Sequence, residues 1–182
     1  MIDIWLKVLP FVYAGIWGAQ NVFDPSISTI GPTSSMVVGG IGDVWRTREG
    51  LTSGPEGAFS YVYGWSAFNL RPQATAFVTG RGDVLVGVGF NDEYVFKSIN
   101  LARDGSMPVF YSWSAGPSYY SPGAGSGGNF GYALQFHMVN EVGFYVNNST
   151  RVSIAYDHYS SGGLTEPNPN SNAVTLNIGY KF

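Results

Sequence analysis

The sequence predicts an all-β protein, an eight-stranded antiparallel transmembrane β-barrel of the outer-membrane type. Three observations lead there. Period-two apolar runs recur between Gly-, Pro-, Asn- and Asp-rich breaks, with no convincing 3.6-residue amphipathic stretch among them. Charged residues make up 12% of the 182 residues and aromatics 16%, whereas soluble domains carry about 25% charged residues. The chain also closes on an alternating strand that stops on Phe182. A mean hydropathy near zero with many aromatics results when lipid-facing apolar residues alternate with small or polar lumen-facing ones.

Taken in order, the elements begin with a segment that is a poor transmembrane helix. Lys7 interrupts it, and Asp3 stands where a leader would carry positive charge. It reads either as an atypical signal peptide ending near Ala19 or as a short leader before a first strand, and Phe11, Tyr13, Gly15 and Trp17 favour the second. The whole chain, 1–182, is expected to form one barrel domain, with 1–10 as a leader or a disordered N-terminus. Strands are expected over 11–20, 58–67, 72–80, 84–94, 107–119, 131–146, 151–160 and 173–182. Segments of about nine to eleven residues suffice to cross the hydrocarbon layer when tilted. Phe59, Tyr61, Tyr63 and Trp65 fall on one face against Ser60, Val62, Gly64 and Ser66. The run Val84, Val86, Val88 and Phe90 against Leu85, Gly87 and Gly89 behaves alike, as does Val109, Tyr111 and Trp113 against Phe110, Ser112 and Ser114. Small inward residues suit a narrow, filled interior, which argues against a pore.

The breaks at 21–55, 98–106 and 121–129 are expected to be exterior loops, with 80–83 and 147–150 as tight periplasmic turns. In the last strand Val174, Leu176, Ile178, Tyr180 and Phe182 alternate with Thr175, Asn177, Gly179 and Lys181. As an edge strand in water that apolar row would invite aggregation. A net charge of −3 lacks the clustered basic face that nucleic acid requires. The absence of cysteine removes disulfides and thiolate metal sites.

Polar residues with chemical potential gather near the end of the chain. In 151–160 the even positions Val152, Ile154 and Tyr156 are apolar and should face lipid, and His158 and Ser160 continue that row. Extending the even, outward row of the last strand backward places Asn172 outward as well, so the three meet across a hairpin on the outer wall. A serine hydroxyl needs an adjacent base, and the base needs a group that holds its tautomer. Ser160, His158 and Asn172 supply those roles in that order. The same spacing also suits interfacial polar residues where a strand leaves the membrane. Asp157 falls on the lumen side, Glu166 is an alternative acid in the same hairpin, and His137 has the parity of a lumen residue. No metal-ligand cluster accompanies His137.

The segment His158-Tyr159-Ser160-Ser161-Gly162-Gly163-Leu164, followed by Pro167-Asn168-Pro169 and the closing strand, resembles the C-terminal signature of the PagL-type lipid A 3-O-deacylases. In that family His-x-Ser-Asn-Ala-x-Leu precedes a Pro-Asn-containing turn. The match is strongest over 129–182 and weaker back to about Phe11. The resemblance implies an outer-membrane serine esterase of Gram-negative cells acting on lipid A of lipopolysaccharide in the outer leaflet. Ser160 would be its nucleophile and His158 its general base, with no cofactor. It leaves room for a homodimer. Two positions depart from the family: the Asn after the serine is Ser161, and the acidic triad member falls on Asn172. Oxyanion donors are then expected from backbone N–H groups near Ser161 and Gly162, or from the Ser161 hydroxyl. The rival expectation is a barrel with a decayed site and a structural, adhesive or lipid-binding role.

Overall fold

The computed structural model describes residues 31–46, 54–67, 69–124, 132–164 and 171–182. Its strands in chain order are β1 (Gly31–Pro32), β2 (Met36–Arg46), β3 (Gly54–Val62), β4 (Trp65–Ser66) and β5 (Arg71–Thr79), followed by β6 (Val84–Asn100), β7 (Pro108–Ser121), β8 (Leu134–Tyr145), β9 (Thr150–Ser160) and β10 (Ser171–Lys181). Eight of these close into an antiparallel barrel in the order β10, β2, β3, β5, β6, β7, β8, β9, and β1 pairs with β4 in a separate ribbon. Closure matters physically, because an open edge in lipid would strand backbone N–H and C=O groups that no water can reach.

The first barrel strand is not where the pattern suggested. β2 lies inside the break expected at 21–55, and the expected strand at 11–20, like any leader and Glu166, lies outside the described residues. Gly39, Gly40 and Gly42 make 36–46 read as a loop, yet close packing demands two of them. A Cβ on Gly40 would come within 1.7 Å of Asn177 Oδ1, and one on Gly42 within 1.9 Å of the Val174 carbonyl oxygen. Ile41 faces Leu176 on one side and Gly57 on the other. β3 also departs from expectation. It starts earlier and ends at Val62, so Tyr63 lies beyond the barrel strand and Trp65 belongs to the ribbon.

Loop length proved a poor guide to sidedness. Each antiparallel strand reverses rim, so the tight turns at 80–83 and 146–149 lie on opposite ends of the barrel. The start of β2 and the end of β10 share one rim with the connections 63–70, 101–107 and 146–149. At the opposite rim lie the end of β2, the turn 80–83, the end of β7 and the end of β9. The breaks at 98–106 and 121–129 were expected to be exterior together, but the 101–107 connection lies at the other rim from the end of β7, where 121–124 is found.

The wall is apolar outside and polar inside. Ile41 is 74% exposed, Val88 62% and Ile178 62%, while Arg151, Asp157 and Gln135 are buried to within 1%. Such an arrangement is stable only where the outer face meets lipid. Toward the rim of the barrel's ends, charges pair in the lumen. Arg151 bridges Glu93 and Glu141, Lys181 Nζ lies 2.9 Å from Glu93 Oε1, and the Tyr145 hydroxyl donates to the same oxygen at 2.6 Å. Arg151 also stacks over Phe110, 4.4 Å from its ring centre. Its stem crosses the bare backbone of Gly179, where a Cβ would come within 2.9 Å of Arg151 Cγ. Nearer the other rim, Phe77, Leu85, Tyr120 and Tyr159 form an apolar cluster. Between the two, a cavity bordered by Gln73, Asn91, Arg151 and Asp157 measures about 30 Å³, room for a water or two. His137 points inward and bonds to Ser118 through Nδ1.

Removing one partner of a buried ion pair leaves the others uncompensated. Arg151→Ala is expected to destabilise the folded barrel by about 3–5 kcal/mol, read as a lowered urea midpoint for unfolding from lipid vesicles. An unchanged midpoint would show that the lumen charges contribute no net support.

Candidate active site

The end of β9 and the start of β10 bring the site together. Period-two geometry makes even residues of both strands face outward, and antiparallel pairing sets Asn172 directly opposite His158, with Met138 opposite His158 on the other flank. One step along the row, Ser160 sits opposite Phe136. His158 Nδ1 is 2.8 Å from Asn172 Oδ1. The Tyr156 hydroxyl donates to that same oxygen at 2.6 Å. With Oδ1 as acceptor, Nδ1 carries the imidazole proton and Nε2 is left as the basic nitrogen.

Asn172 is only 3% exposed although it belongs to the outward row. Tyr156 and His158 cover it from β9, and Trp45 is its register partner on β2. The rings of Trp45 and Tyr156 lie 6.3 Å apart and tilted at 51°. The amide is thus shielded from the outside by aromatic groups, which strengthens the hydrogen bonds that it accepts.

Beyond Ser160 the chain turns sharply. Gly162 and Gly163 adopt φ of +66° and +81°, a left-handed conformation that residues with a Cβ adopt only at a cost. Leu164 N–H closes the turn on the Ser161 carbonyl at 3.2 Å. The turn aims the Gly162 N–H at Ser160 Oγ, 3.4 Å away. Ser161, the first residue past the end of β9, is fully buried. A main-chain N–H beside a serine hydroxyl can steady negative charge developing on an acyl oxygen nearby.

The structure therefore brings Asn172 and His158 into contact, while Ser160 follows two residues beyond His158 in the same outward row and is approached by the Gly162 N–H. Asp157 points inward, 1% exposed, and accepts from Thr175 Oγ1 at 3.3 Å; it does not join the outer row. Sequence reasoning passed over Tyr156 and Trp45. Tyr156 could have been noticed from its place two residues before His158 in the same outward row. Trp45 gave no signal while its strand read as a loop. Among the described residues no cluster of three or more His, Cys, Asp or Glu side chains is arranged to hold a metal ion.

Comparison with known proteins bears on the fold and the family. The family model described as lipid A 3-O-deacylase (PagL) matches residues 42–181. The lipid A deacylase PagL of Bordetella bronchiseptica (strain ATCC BAA-588 / NCTC 13252 / RB50) is 33% identical over 86 residues, 42% of this chain and 48% of the relative. That match spans about half the length of the curated relative. Among solved structures, the crystal structure of the outer membrane enzyme PagL superposes with a TM-score of 0.61 at 20% identity, covering 81% of this chain and 99% of that one. Neisserial surface protein A superposes at 0.55 with 13% identity, covering 81% and 97%. These two likenesses speak for the outer-membrane barrel fold. With most of the barrel, the site hairpin included, inside the matched region, the chain belongs to the PagL lipid A 3-O-deacylase family.

Proposed function

We propose that this protein is an outer-membrane esterase that removes the 3-O-linked acyl chain of lipid A. The observation that carries the reading is the His158 Nδ1 to Asn172 Oδ1 hydrogen bond on the outer wall, with Ser160 next in the same row. Family membership supplies the substrate class and the ester position.

The chemistry follows from the placement. Ser160 Oγ attacks the ester carbonyl while His158 Nε2 takes its proton, and Asn172 Oδ1 keeps the Nδ1 proton in place throughout. The tetrahedral oxyanion is met by the Gly162 N–H, the donor that the turn already directs at Ser160. Collapse of the intermediate breaks the bond to the sugar oxygen, which leaves with the proton from His158. Water entering from the rim is deprotonated by His158, attacks the acyl-serine, and releases the fatty acid. Serine and neutral imidazole are thereby restored. The apolar outer wall holds the acyl chain, with Phe136 and Met138 opposite the two reacting residues.

Asn172 differs from a carboxylate in one respect. It orients the imidazole but brings no full negative charge to stabilise the imidazolium. An isosteric Asn172→Asp change is therefore expected to raise kcat, by about 10-fold or more given the roughly 10⁴-fold loss when a serine protease's acid becomes an amide. Kinetics on purified protein with lipid A in mixed micelles would read this, and an unchanged or lower kcat would sink the assigned role of Asn172. Expression in Gram-negative cells followed by mass spectrometry of lipid A should show loss of one 3-hydroxyacyl chain, abolished by Ser160→Ala. Unchanged lipid A in both, with the barrel folded in the outer membrane, would overturn the esterase reading in favour of a barrel with a decayed site.

A further inference from the structure

The third residue of the site presents a problem that a carboxylate does not. The two oxygens of Asp or Glu are equivalent acceptors, but an amide has one oxygen and one NH₂, and the two can exchange by a half-turn about the side-chain bond. If Asn172 turned its NH₂ toward His158, Nδ1 would have to accept. The imidazole proton would then sit on Nε2, the nitrogen that must be free to take the serine proton. In a serine protease the corresponding amide costs about 10⁴ in kcat because it favours that wrong tautomer.

Something on the outer wall has to hold the Asn172 amide the right way round. Two donors converge on Asn172 Oδ1: His158 Nδ1 at 2.8 Å and the Tyr156 hydroxyl at 2.6 Å. A phenol is a stronger donor than acceptor, so its hydrogen draws the amide oxygen rather than the NH₂. Tyr156 is held for the task. It lies two residues before His158 on β9, pairs with Val174 on β10, and packs its ring toward Trp45 of β2. The side chain of Asn172 is nearly fully buried among these groups, so water competes poorly for the oxygen.

We propose that Tyr156 is a positioning residue of the site: by donating to Asn172 Oδ1 it keeps the amide oxygen toward His158 Nδ1, and so holds His158 in the tautomer that is basic at Nε2. The proposal rests on the esterase reading for its consequence in catalysis, while its structural half stands apart from turnover. It gives a chain with an amide at the third position a means of keeping the geometry that a carboxylate supplies by symmetry.

The test separates the two. The chain has two histidines, His137 and His158, so ¹⁵N spectra of histidine-labelled protein in micelles are simple to assign with a His158→Gln control. Wild-type His158 is expected as the Nδ1–H tautomer. Tyr156→Phe, which keeps the ring and its packing, is expected to bring in a substantial Nε2–H fraction. In parallel, Tyr156→Phe should lower kcat by about 10-fold or more at nearly constant KM, a part of the roughly 10⁴-fold cost of the wrong tautomer in a serine protease. In the Asn172→Asp background, where either oxygen can accept, the same substitution should cost less than about 2-fold, because no amide orientation remains to be held. An Nδ1–H population that does not change in Tyr156→Phe overturns the proposal, and so does an equal loss of kcat in both backgrounds. If wild-type protein shows no Ser160-dependent deacylation, the esterase reading fails, and the tautomer spectra still decide whether Tyr156 orients the amide.

Discussion

The pairing of β10 with both β9 and β2 is the constraint on which the rest depends. It closes the wall, leaving no barrel strand with an unpaired edge in lipid. The same pairing sets His158 opposite Asn172, and Asn172 opposite Trp45. A slip of one residue would send the side chain of Asn172 into the lumen and bring an inward residue out, since strand side chains alternate. Fold and site therefore share one register.

The interior helps to hold that register. Glu93 on β6, Glu141 on β8, Arg151 on β9 and Lys181 on β10 join across the lumen near the rim where the barrel begins and ends. Desolvating such charges is expensive, and the net stabilisation from a buried network is small compared with the penalty for breaking it. Its geometric effect is larger. Arg151 lies over the bare backbone of Gly179 and beside Phe110, a close fit that favours the observed alignment of β9 and β10 at that end. The site lies at the far end of the same two strands. On the proposed reading, a polar, filled lumen leaves the chemistry to the outer wall, where an acyl chain can lie in the lipid while its ester approaches the rim.

At that rim the turn after β9 sets the geometry around Ser160. Two consecutive glycines at positive φ reverse the chain directly beyond Ser160, and the reversal presents a main-chain N–H to the serine. Where the resemblance expects an acid, Asn172 has Tyr156 and Trp45 as neighbours, which enclose its amide and hydrogen-bond its oxygen through the Tyr156 hydroxyl. On the proposed reading the chain retains orientation of the base while giving up part of its electrostatic support.

The alternation of 151–160 and 173–182 was legible in the sequence because a period of two is local: it needs only the strand itself to place His158 and Ser160 on one face and Asp157 on the other. The small inward residues and the aromatic outer rows, which together predict a filled membrane barrel of eight strands, were legible for the same reason. The strand Met36–Arg46 was not, because its glycines carry the signature of a loop and become strand only when β10 and β3 pack against them. Sidedness of the turns likewise required the true strand path. The Arg151 contact with Glu93, and that of Tyr156 with Asn172, join residues separated by 58 and 16 positions, and no local pattern records such partners. What the sequence determined by itself is which residues share a face; the closed sheet decided which faces meet, because hydrogen-bond register between strands is a property of the pairing and not of either strand alone.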